Sequence, residues 1–309
     1  MKGLKKFLLC GACILALGGG LASCSGKENP EITVYTRDTK SGTRDGFFTG
    51  IDFKEAKSDN TVLKAGYKEV ASNGAMMASI KADEYGIGYI SLSTLEESGL
   101  KGLSYDGVEP NKENVIEGKY NLTRNFNYII RTDDEEKESG KITRAMVAYL
   151  STIEGKTLIL NNGGIVDLKS DDKSWDDIKA NYPIALADNS NITIKIAGST
   201  SVKEITSKLL PAFSSLCGNF KYEFNQNGSG DAFKRTQGSE KDGANRADIA
   251  FASREFKSDS EKYAEGTAGK MCIDAIVAVV NKENGYSNTT STELKKIYTG
   301  EIKTWSELK

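Results

Sequence analysis

The sequence from residue 35 to residue 44 reads Tyr-Thr-Arg-Asp-Thr-Lys-Ser-Gly-Thr-Arg, and it joins a short apolar strand at 32–35 to the start of a helix. Small hydroxyl and glycine residues at such a junction leave backbone N–H groups uncovered at a helix N-terminus, where about half a positive charge accumulates. Arg37 and the hydroxyl groups of Ser41 and Thr43 add side-chain donors. The stretch therefore suits an anion, although in isolation an ordinary capped helix is the favoured explanation, and the anion site depends on partners elsewhere in the chain.

Three later stretches repeat this chemistry. A strand at 192–196 runs into residues 197–201, which read Ala-Gly-Ser-Thr-Ser, and a strand at 220–224 precedes the Gly-Ser-Gly of residues 228–230. A strand at 248–252 ends in Ser-Arg-Glu, which places the cation of Arg254 at the carboxyl end of a strand, where open α/β sheets bind ligands. Together these stretches predict a shell of donors around a small, multiply charged oxyanion.

The N-terminus has the pattern of an export signal. Residues 1–6 are basic and the apolar run at 7–17 is too short to span a bilayer as a mature helix. Leu-Ala-Ser-Cys at 21–24 resembles the lipobox of bacterial lipoproteins, which implies cleavage before Cys24 and a diacylglycerol on its sulfur. We therefore expect a signal peptide at 1–23, a tether at 24–30, and a protein anchored by lipid to the outer side of the cell membrane.

Composition limits the possible functions. The chain has 309 residues, of which 38% are apolar, and its length suits two domains better than one. Its formal charge is −2, and without the three lysines of the signal it has 38 cations against 43 acids, or −5, which disfavours a nucleic-acid partner. Histidine is absent, so triad hydrolases and zinc enzymes are disfavoured, and we expect neither a metal nor a cofactor.

Other patterns predict the framework around these stretches. Cys217 and Cys272 each lie among apolar residues, which favours two buried free thiols, although a disulfide stays open in an oxidising compartment. Asn73 has the character of a cap before a short apolar helix at 75–80. Residues 166–191 are polar and aperiodic, as in a linker. Three apolar residues in this segment predict that part of it packs against the rest of the protein: Trp175, Ile178 and Tyr182.

These motifs resemble those of the PstS family, the phosphate-binding proteins of bacterial phosphate ABC transporters. The resemblance spans most of the mature chain. The matching stretches are Arg-Asp-Thr-Lys-Ser-Gly-Thr-Arg (37–44), Ile-Gly-Tyr-Ile-Ser (87–91), Ala-Gly-Ser-Thr-Ser-Val (197–202), Gly-Ser-Gly (228–230), Ala-Asp-Ile-Ala-Phe-Ala-Ser-Arg-Glu (247–255) and Ile-Tyr-Thr-Gly-Glu-Ile-Lys-Thr-Trp (297–305).

The order of these stretches differs from that of the family. There the Gly-Ser-Thr-Ser stretch opens the mature chain, whereas here residues 192–309 follow residues 31–165. The chain therefore resembles a circularly permuted member, in which moving the last segment to the front would lead 305–308 directly into 31–33. The alternative is that two half-genes were joined and that the halves pair between two chains.

The resemblance implies an α/β, two-domain fold of the periplasmic-binding-protein-like type II, in which two crossing strands join domains that close over a ligand. One domain would comprise residues 31–127 plus 282–309 and carry the Ser-Gly-Thr-Arg loop. The other would comprise residues 128–281, including the linker at 166–191 and the hinge strands, and carry the other two anion loops.

The resemblance also implies a set of phosphate ligands. They are hydroxyl, glycine and arginine residues of the matching loops: Arg37, Ser41, Gly42, Thr43, Thr200, Ser201, Ser229 and Arg254. Arg254 stands where some members have an aspartate that accepts a hydrogen bond from protonated phosphate, and where other members have arginine. Because such an acceptor distinguishes phosphate from fully ionised sulfate, Arg254 leaves the selectivity open, and Asp38 is the substitute that the sequence offers.

The function implied is that of a monomeric, non-enzymatic receptor that captures inorganic phosphate and delivers it to the permease and ATPase of an ABC importer. One alternative is a receptor for sulfate, molybdate or tungstate. Another is a serine-dependent phosphoester hydrolase, against which the missing histidine argues. A third is a surface lipoprotein whose pocket is vestigial.

Overall fold

The computed structural model describes residues 29–308 of the protein. The signal peptide, Cys24 and most of the tether lie outside the described residues, so their predictions stay predictions. Within 29–308 the strands are β1 (Thr33–Arg37), β2 (Lys68–Val70), β3 (Gly86–Ser91), β4 (Lys101–Gly102), β5 (Ser104–Tyr105), β6 (Thr123–Ile130), β7 (Thr193–Gly198), β8 (Lys221–Asn225), β9 (Ile249–Ala252), β10 (Ala268–Val280) and β11 (Asn288–Thr289).

The helices alternate with these strands over much of the chain. They are α1 (Gly42–Gly50), α2 (Asn73–Lys81), α3 (Leu95–Ser98), α4 (Lys112–Ile116), α5 (Glu138–Tyr149), α6 (Ile153–Asn161), α7 (Trp175–Ile178), α8 (Lys203–Leu216), α9 (Gly230–Thr236) and α10 (Ser291–Thr299). Short 3₁₀ helices occupy Lys54–Lys57, Leu92–Thr94, Lys179–Asn181, Pro183–Leu186, Thr200–Val202 and Trp305–Glu307.

Strand β10 joins the two halves of the sheet. Its first half pairs antiparallel with β6, up to the pair Ala275 and Thr123, and its second half pairs antiparallel with β3, starting at Ile276 and Ser91. The sequence itself predicts a strand here, because residues 273–281 form a long apolar run, and the structure begins the strand five residues earlier. The sheet order is β2-β1-β3-β10-β6-β9-β7-β8, with β4 added beside β10.

The strand directions place the anion loops opposite each other. Strand β1 is parallel to β3 and therefore runs against β10. Strand β9 is antiparallel to β6 and therefore runs with β10, and β7 and β8 share its direction. The carboxyl ends of β1 and of β7, β8 and β9 consequently point toward each other across the middle of the molecule.

Two large hydrophobic cores lie on either side of that middle. The first draws on residues 32–122 and 275–308 together with Ile165, and its centre is an aromatic group in which the Phe47 and Tyr89 rings stack at 4.1 Å. The second draws only on residues between 126 and 272. Strand β10 contributes to both cores, so it ties the two halves together.

The segment at 166–191 is packed against the second core. Trp175 is 2% exposed, and its ring lies 5.8 Å from that of Tyr149 and 5.3 Å from that of Phe213. Tyr182 stacks on Trp175 at 6.0 Å. The prediction that part of this segment packs against the rest of the protein is therefore confirmed.

The described ends of the chain meet. The Ile32 N–H donates to the Lys303 carbonyl at 2.7 Å, and Glu31 forms an antiparallel bridge with Thr304. Elsewhere in the described residues, Cys217 and Cys272 are both buried and unpaired, which confirms the prediction of free thiols. Across residues 29–308 no helix combines the length and the apolar character that membrane crossing requires.

Candidate functional site

Each predicted anion loop begins where a strand ends. Ser41 is the N-cap of α1, and its hydroxyl accepts a hydrogen bond from the Arg44 N–H at 3.3 Å. Ser199 follows β7 and accepts from the Ser201 N–H at 3.1 Å, at the start of the 3₁₀ turn that leads into α8. Ser229 directly precedes α9. The hydroxyl groups of Ser41 and Ser199 satisfy first-turn N–H groups, which explains why the sequence folds this way locally at these two positions, whereas the Ser229 hydroxyl makes no capping hydrogen bond.

The loops of the two halves are in direct contact. The Thr43 and Ser201 hydroxyl oxygens lie 2.7 Å apart, and the Arg37 Nη2 donates to the Thr200 Oγ1 at 3.3 Å. Gly42 lies so close to the other half that an added Cβ would be 2.4 Å from the Ser229 Oγ. The structure therefore brings together seven of the eight predicted ligands: Arg37, Ser41, Gly42, Thr43, Thr200, Ser201 and Ser229.

Two further serines complete this hydroxyl cluster, and sequence reasoning did not assign them a role. The Ser253 N–H donates to the Ser229 Oγ at 2.9 Å, and the two hydroxyl oxygens are 3.0 Å apart. The Ser199 hydroxyl donates to the Ser253 Oγ at 2.9 Å. Both serines lie within the quoted motifs, so the signal that could have found them was their place at the carboxyl ends of β7 and β9.

Arg37 is the cation of the site and is almost completely buried. It is 1% exposed, and burial lowers the pKa of its guanidinium, a shift that the nearby Tyr89 and Asp38 oppose. Its salt bridge to Asp38 is long, at 3.9 Å between Nη2 and Oδ2. Among the described residues no carboxylate lies close enough to pair tightly with Arg37. Its positive charge is therefore available to an anion.

The guanidinium is held by the loop before α2. Its Nε donates to the Val70 carbonyl at 3.2 Å, its Nη2 to the Ala71 carbonyl at 3.0 Å, and its Nη1 to the Asn73 Oδ1 at 3.3 Å. The prediction that Asn73 caps this helix was wrong. The N-cap is Ser72, whose hydroxyl accepts from the Ala75 N–H, and Asn73 is the first helical residue.

Arg254 is engaged elsewhere. Its Nη1 and Nη2 donate to the two carboxylate oxygens of Glu261 at 2.7 and 2.8 Å, and Nη1 also donates to the Glu255 carbonyl. Burial acts to raise the pKa of Glu261, but the hydrogen bonds from Arg254 and from the Lys257 N–H, together with the charges of Arg254 and Lys257, outweigh it and the pKa is lowered. The structure therefore places a neutralised ion pair, rather than a free cation, at the end of β9.

The chemistry of this site is that of anion binding. The hydroxyl groups of the cluster bond one another and Arg37, so none of them is paired with a group that could take its proton. Over residues 29–308, no three or more acidic or cysteine side chains are grouped in a way that could hold a metal ion. A small oxyanion entering the cluster would receive hydrogen bonds from both halves of the molecule.

Comparison with known proteins agrees with this geometry. A family model described as a PBP superfamily domain matches residues 185–309. Phosphate-binding protein PstS 2 of Streptococcus agalactiae serotype V is 30% identical over 298 residues, which cover 94% of this chain and 93% of that protein. The protein of the same name from Streptococcus pneumoniae serotype 4 is 27% identical over 305 residues, which cover 97% and 96%.

A solved structure shares the fold. The crystal structure of a phosphate-binding protein of a phosphate ABC transporter from Streptococcus pneumoniae TIGR4 superposes with a TM-score of 0.61 at 24% identity, covering 90% of this chain and all of that one. The sequence match to the streptococcal relatives extends over nearly the whole of both chains. The chain therefore belongs to the PstS family of phosphate-binding proteins.

Proposed function

We propose that the protein captures inorganic phosphate between its two halves and delivers it to the permease and ATPase of an ABC importer. The observation that carries this proposal is the largely buried contact between loops of the two halves, in which Arg37 meets Thr200, Thr43 meets Ser201 and Gly42 meets Ser229. The names of the streptococcal relatives support phosphate as the ligand.

The chemistry of the pocket suits phosphate. Hydrogen bonds from a buried guanidinium and from hydroxyl groups to an anion are short and strong because little water screens them. The donors come from both halves, so a bound anion stabilises the closed arrangement over an open one. The importer could therefore distinguish the ligand-bound receptor from the empty one by the closed cleft.

A receptor fits the site better than a hydrolase. A serine nucleophile needs an adjacent base, and the serines of the cluster contact other hydroxyl groups instead. A chromogenic phosphatase assay on the purified protein is expected to show no turnover. Turnover that is lost in Ser229→Ala would favour the hydrolase.

Isothermal titration with phosphate, sulfate, molybdate and tungstate tests the ligand. We expect heat with phosphate and much weaker binding of the other anions. Within residues 29–308, Glu261 neutralises Arg254, so Arg37 supplies the main positive charge of the site, and Asp38 beside it can accept a hydrogen bond from a protonated phosphate oxygen. Absence of heat with phosphate would contradict the proposal. Binding of another of these anions alone would favour a receptor for that anion.

Lipid anchoring through Cys24 is part of the same proposal. An anchored receptor stays at the outer side of the cell membrane beside its importer. Detergent phase partitioning of the protein expressed with its signal tests this, with the protein expected in the detergent phase. Cys24→Ala is expected to move it to the aqueous phase, and an unchanged distribution would contradict the anchor.

We further propose that residues 31–127 plus 282–309 and residues 128–281 are the two domains of a circularly permuted, monomeric chain. The two cores support this division, with β10 shared between them. The contacts of Ile32 with Lys303 and of Glu31 with Thr304 support the permutation, because they bring together the ends that the family order would join. Exchange of halves between two chains would instead require a dimer.

Light scattering and a reordered chain test this organisation. We expect a monomer in solution, and a chain that begins at residue 166, continues from 308 into 29 and ends at 165 should fold and bind phosphate. A strict dimer would favour exchange of halves between two chains. Failure of the reordered chain to fold would contradict the permutation.

A further inference from the structure

We propose that Asn73 is a further anion-binding residue, whose Nδ2 donates to an oxygen of the bound oxyanion while its Oδ1 holds the Arg37 guanidinium. This inference rests on the proposed function, because the anion is the one captured beside Arg37. Asn73 was predicted only as a helix cap, and none of the motifs quoted for the family includes it.

The Asn73 amide contacts the buried arginine of the site. Asn73 lies at the start of α2, a helix of nine residues, and its Oδ1 accepts from the Arg37 Nη1 at 3.3 Å. The Nη2 of the same guanidinium reaches the Thr200 hydroxyl of the opposite half at 3.3 Å. Asn73 is thus separated from the hydroxyl cluster by the width of one guanidinium group.

The Nδ2 of Asn73 is a donor without a partner among the described residues. Asn73 is 3% exposed, and its Nδ2 is buried without a hydrogen-bond partner. The bond from Arg37 fixes which end of the amide is the oxygen, because a guanidinium donates and never accepts. Buried amide donors nearly always have a partner, so an unpartnered one beside an anion-binding arginine indicates that its partner is the anion.

The surroundings of that donor suit an anion. The carbonyl oxygens of Val70 and Ala71 accept from Arg37, and none of the described residues offers an acceptor to the Asn73 Nδ2. The N-terminus of α2 adds a positive helix end on the same side. An oxyanion at Arg37 would therefore satisfy both the guanidinium and the free amide, which a neutral ligand could not do equally well.

Titration of inorganic phosphate into the mature protein and its variants tests the role of Asn73. Asn73→Ala removes both contacts, and Asn73→Asp keeps an acceptor for Arg37 but replaces the donor with a charged oxygen. We expect each to weaken phosphate binding by at least about tenfold, as loss of one hydrogen bond to a charged group does. The matched control is Asn227→Asp, which adds the same charge at an exposed position near Ser229 and is expected to change affinity less than threefold.

A crystal structure with phosphate separates binding from positioning. A distance of about 2.7–3.2 Å from the Asn73 Nδ2 to a phosphate oxygen is expected. A distance above about 4 Å, outside hydrogen-bonding range, would overturn the inference, as would an Asn73→Ala affinity within twofold of the wild type. The crystal distance also decides the matter if a variant fails to fold. If the wild type itself binds no phosphate, the proposed function fails, which is a different result from binding that is indifferent to Asn73.

Discussion

At the scale of single residues, the site depends on one buried cation whose only carboxylate neighbour among the described residues is distant. Arg37 donates to two carbonyl groups, an amide oxygen and a hydroxyl group, all of them neutral acceptors, and its carboxylate neighbour is 3.9 Å away. Arg254 shows the contrast, since Glu261 takes both of its Nη atoms. The environment, rather than the residue type, separates an available arginine from an occupied one.

Replacing Arg37 should therefore remove phosphate binding while leaving most of the fold intact. Arg37→Ala loses the charge and is expected to weaken binding by about 2–4 kcal/mol or more, and Arg37→Lys should recover little because a lysine cannot reproduce the forked geometry. Titration calorimetry measures both, with Arg246→Ala as control because that arginine is 43% exposed and pairs with Asp248. Unchanged affinity in Arg37→Ala would remove Arg37 from the site.

The two thiols provide a second test at this scale. Burial raises the pKa of Cys217 to about 11 and also raises that of Cys272. Because the thiolate is the reactive form, neither should react with Ellman's reagent at pH 8 in folded protein comprising residues 25–309, and both should react after unfolding in guanidinium. Fewer than two reactive thiols after unfolding would instead indicate a disulfide.

At the scale of the elements, β10 and β6 carry an ion pair at the point where β10 changes partners. The Arg124 Nε and Nη2 donate to the Asp274 Oδ2 at 3.0 and 2.8 Å, and the Ser91 hydroxyl donates to Oδ1 at 2.7 Å. Burial raises the pKa of Asp274 and lowers that of Arg124, while each partner's charge opposes the other's shift. The pair thus connects β3, β6 and β10 at the junction of the two halves.

Breaking this pair from one side should destabilise the protein strongly. Asp274→Ala leaves the Arg124 charge buried without compensation, and the free energy of unfolding is expected to fall by about 3–5 kcal/mol in urea titrations. The double variant Arg124→Met/Asp274→Leu should lose much less, because it removes both charges.

The matched control is Asp176→Ala, which breaks an exposed pair with Lys179 and should cost less than about 1 kcal/mol. A loss in Asp274→Ala no larger than in this control would show that the pair contributes nothing to the junction.

At the scale of the whole molecule, closure brings the backbone of Gly42 against two serine side chains of the opposite half. A Cβ on Gly42 would lie 2.4 Å from the Ser229 Oγ and 2.5 Å from the Ser253 Oγ, both on the opposite half. Contacts this short cannot be tolerated without movement, so the closed arrangement requires glycine at this position. Gly42 opens α1 with an ordinary helical backbone, so alanine there opposes closure and not the helix.

Gly42→Ala should therefore hold the two halves apart. We expect phosphate affinity to fall by at least about tenfold, as an overpacked contact of 1–3 kcal/mol implies, with an unchanged melting temperature in the absence of ligand. Small-angle scattering should show that saturating phosphate no longer reduces the radius of gyration. Gly285→Ala is the control, since nothing lies within 4 Å of its added Cβ, and a Gly42→Ala protein that still compacts normally would contradict the closure argument.

Much of this arrangement could be predicted from local patterns. The junctions at Ser41, Ser199 and Ser229 were recognised because small polar residues directly after an apolar strand are typical of the start of a helix. The long apolar run predicted β10, but not its first five residues, which include Gly269 and Lys270 and pair with β6. The sequence at 100–105 is typical of one short strand, but the structure has two strands of two residues each there, since β4 and β5 have different partners.

The sequence by itself determined the family, the anion loops and the strand that crosses between the halves, because each depends on residues that are close along the chain. Only the tertiary structure decided that Asn73 lies on Arg37, that Glu261 neutralises Arg254, and that Gly42 touches Ser229. Those contacts depend on where loops without periodicity bring distant residues. Burial then fixes which polar groups pair with each other and which remain free for a ligand.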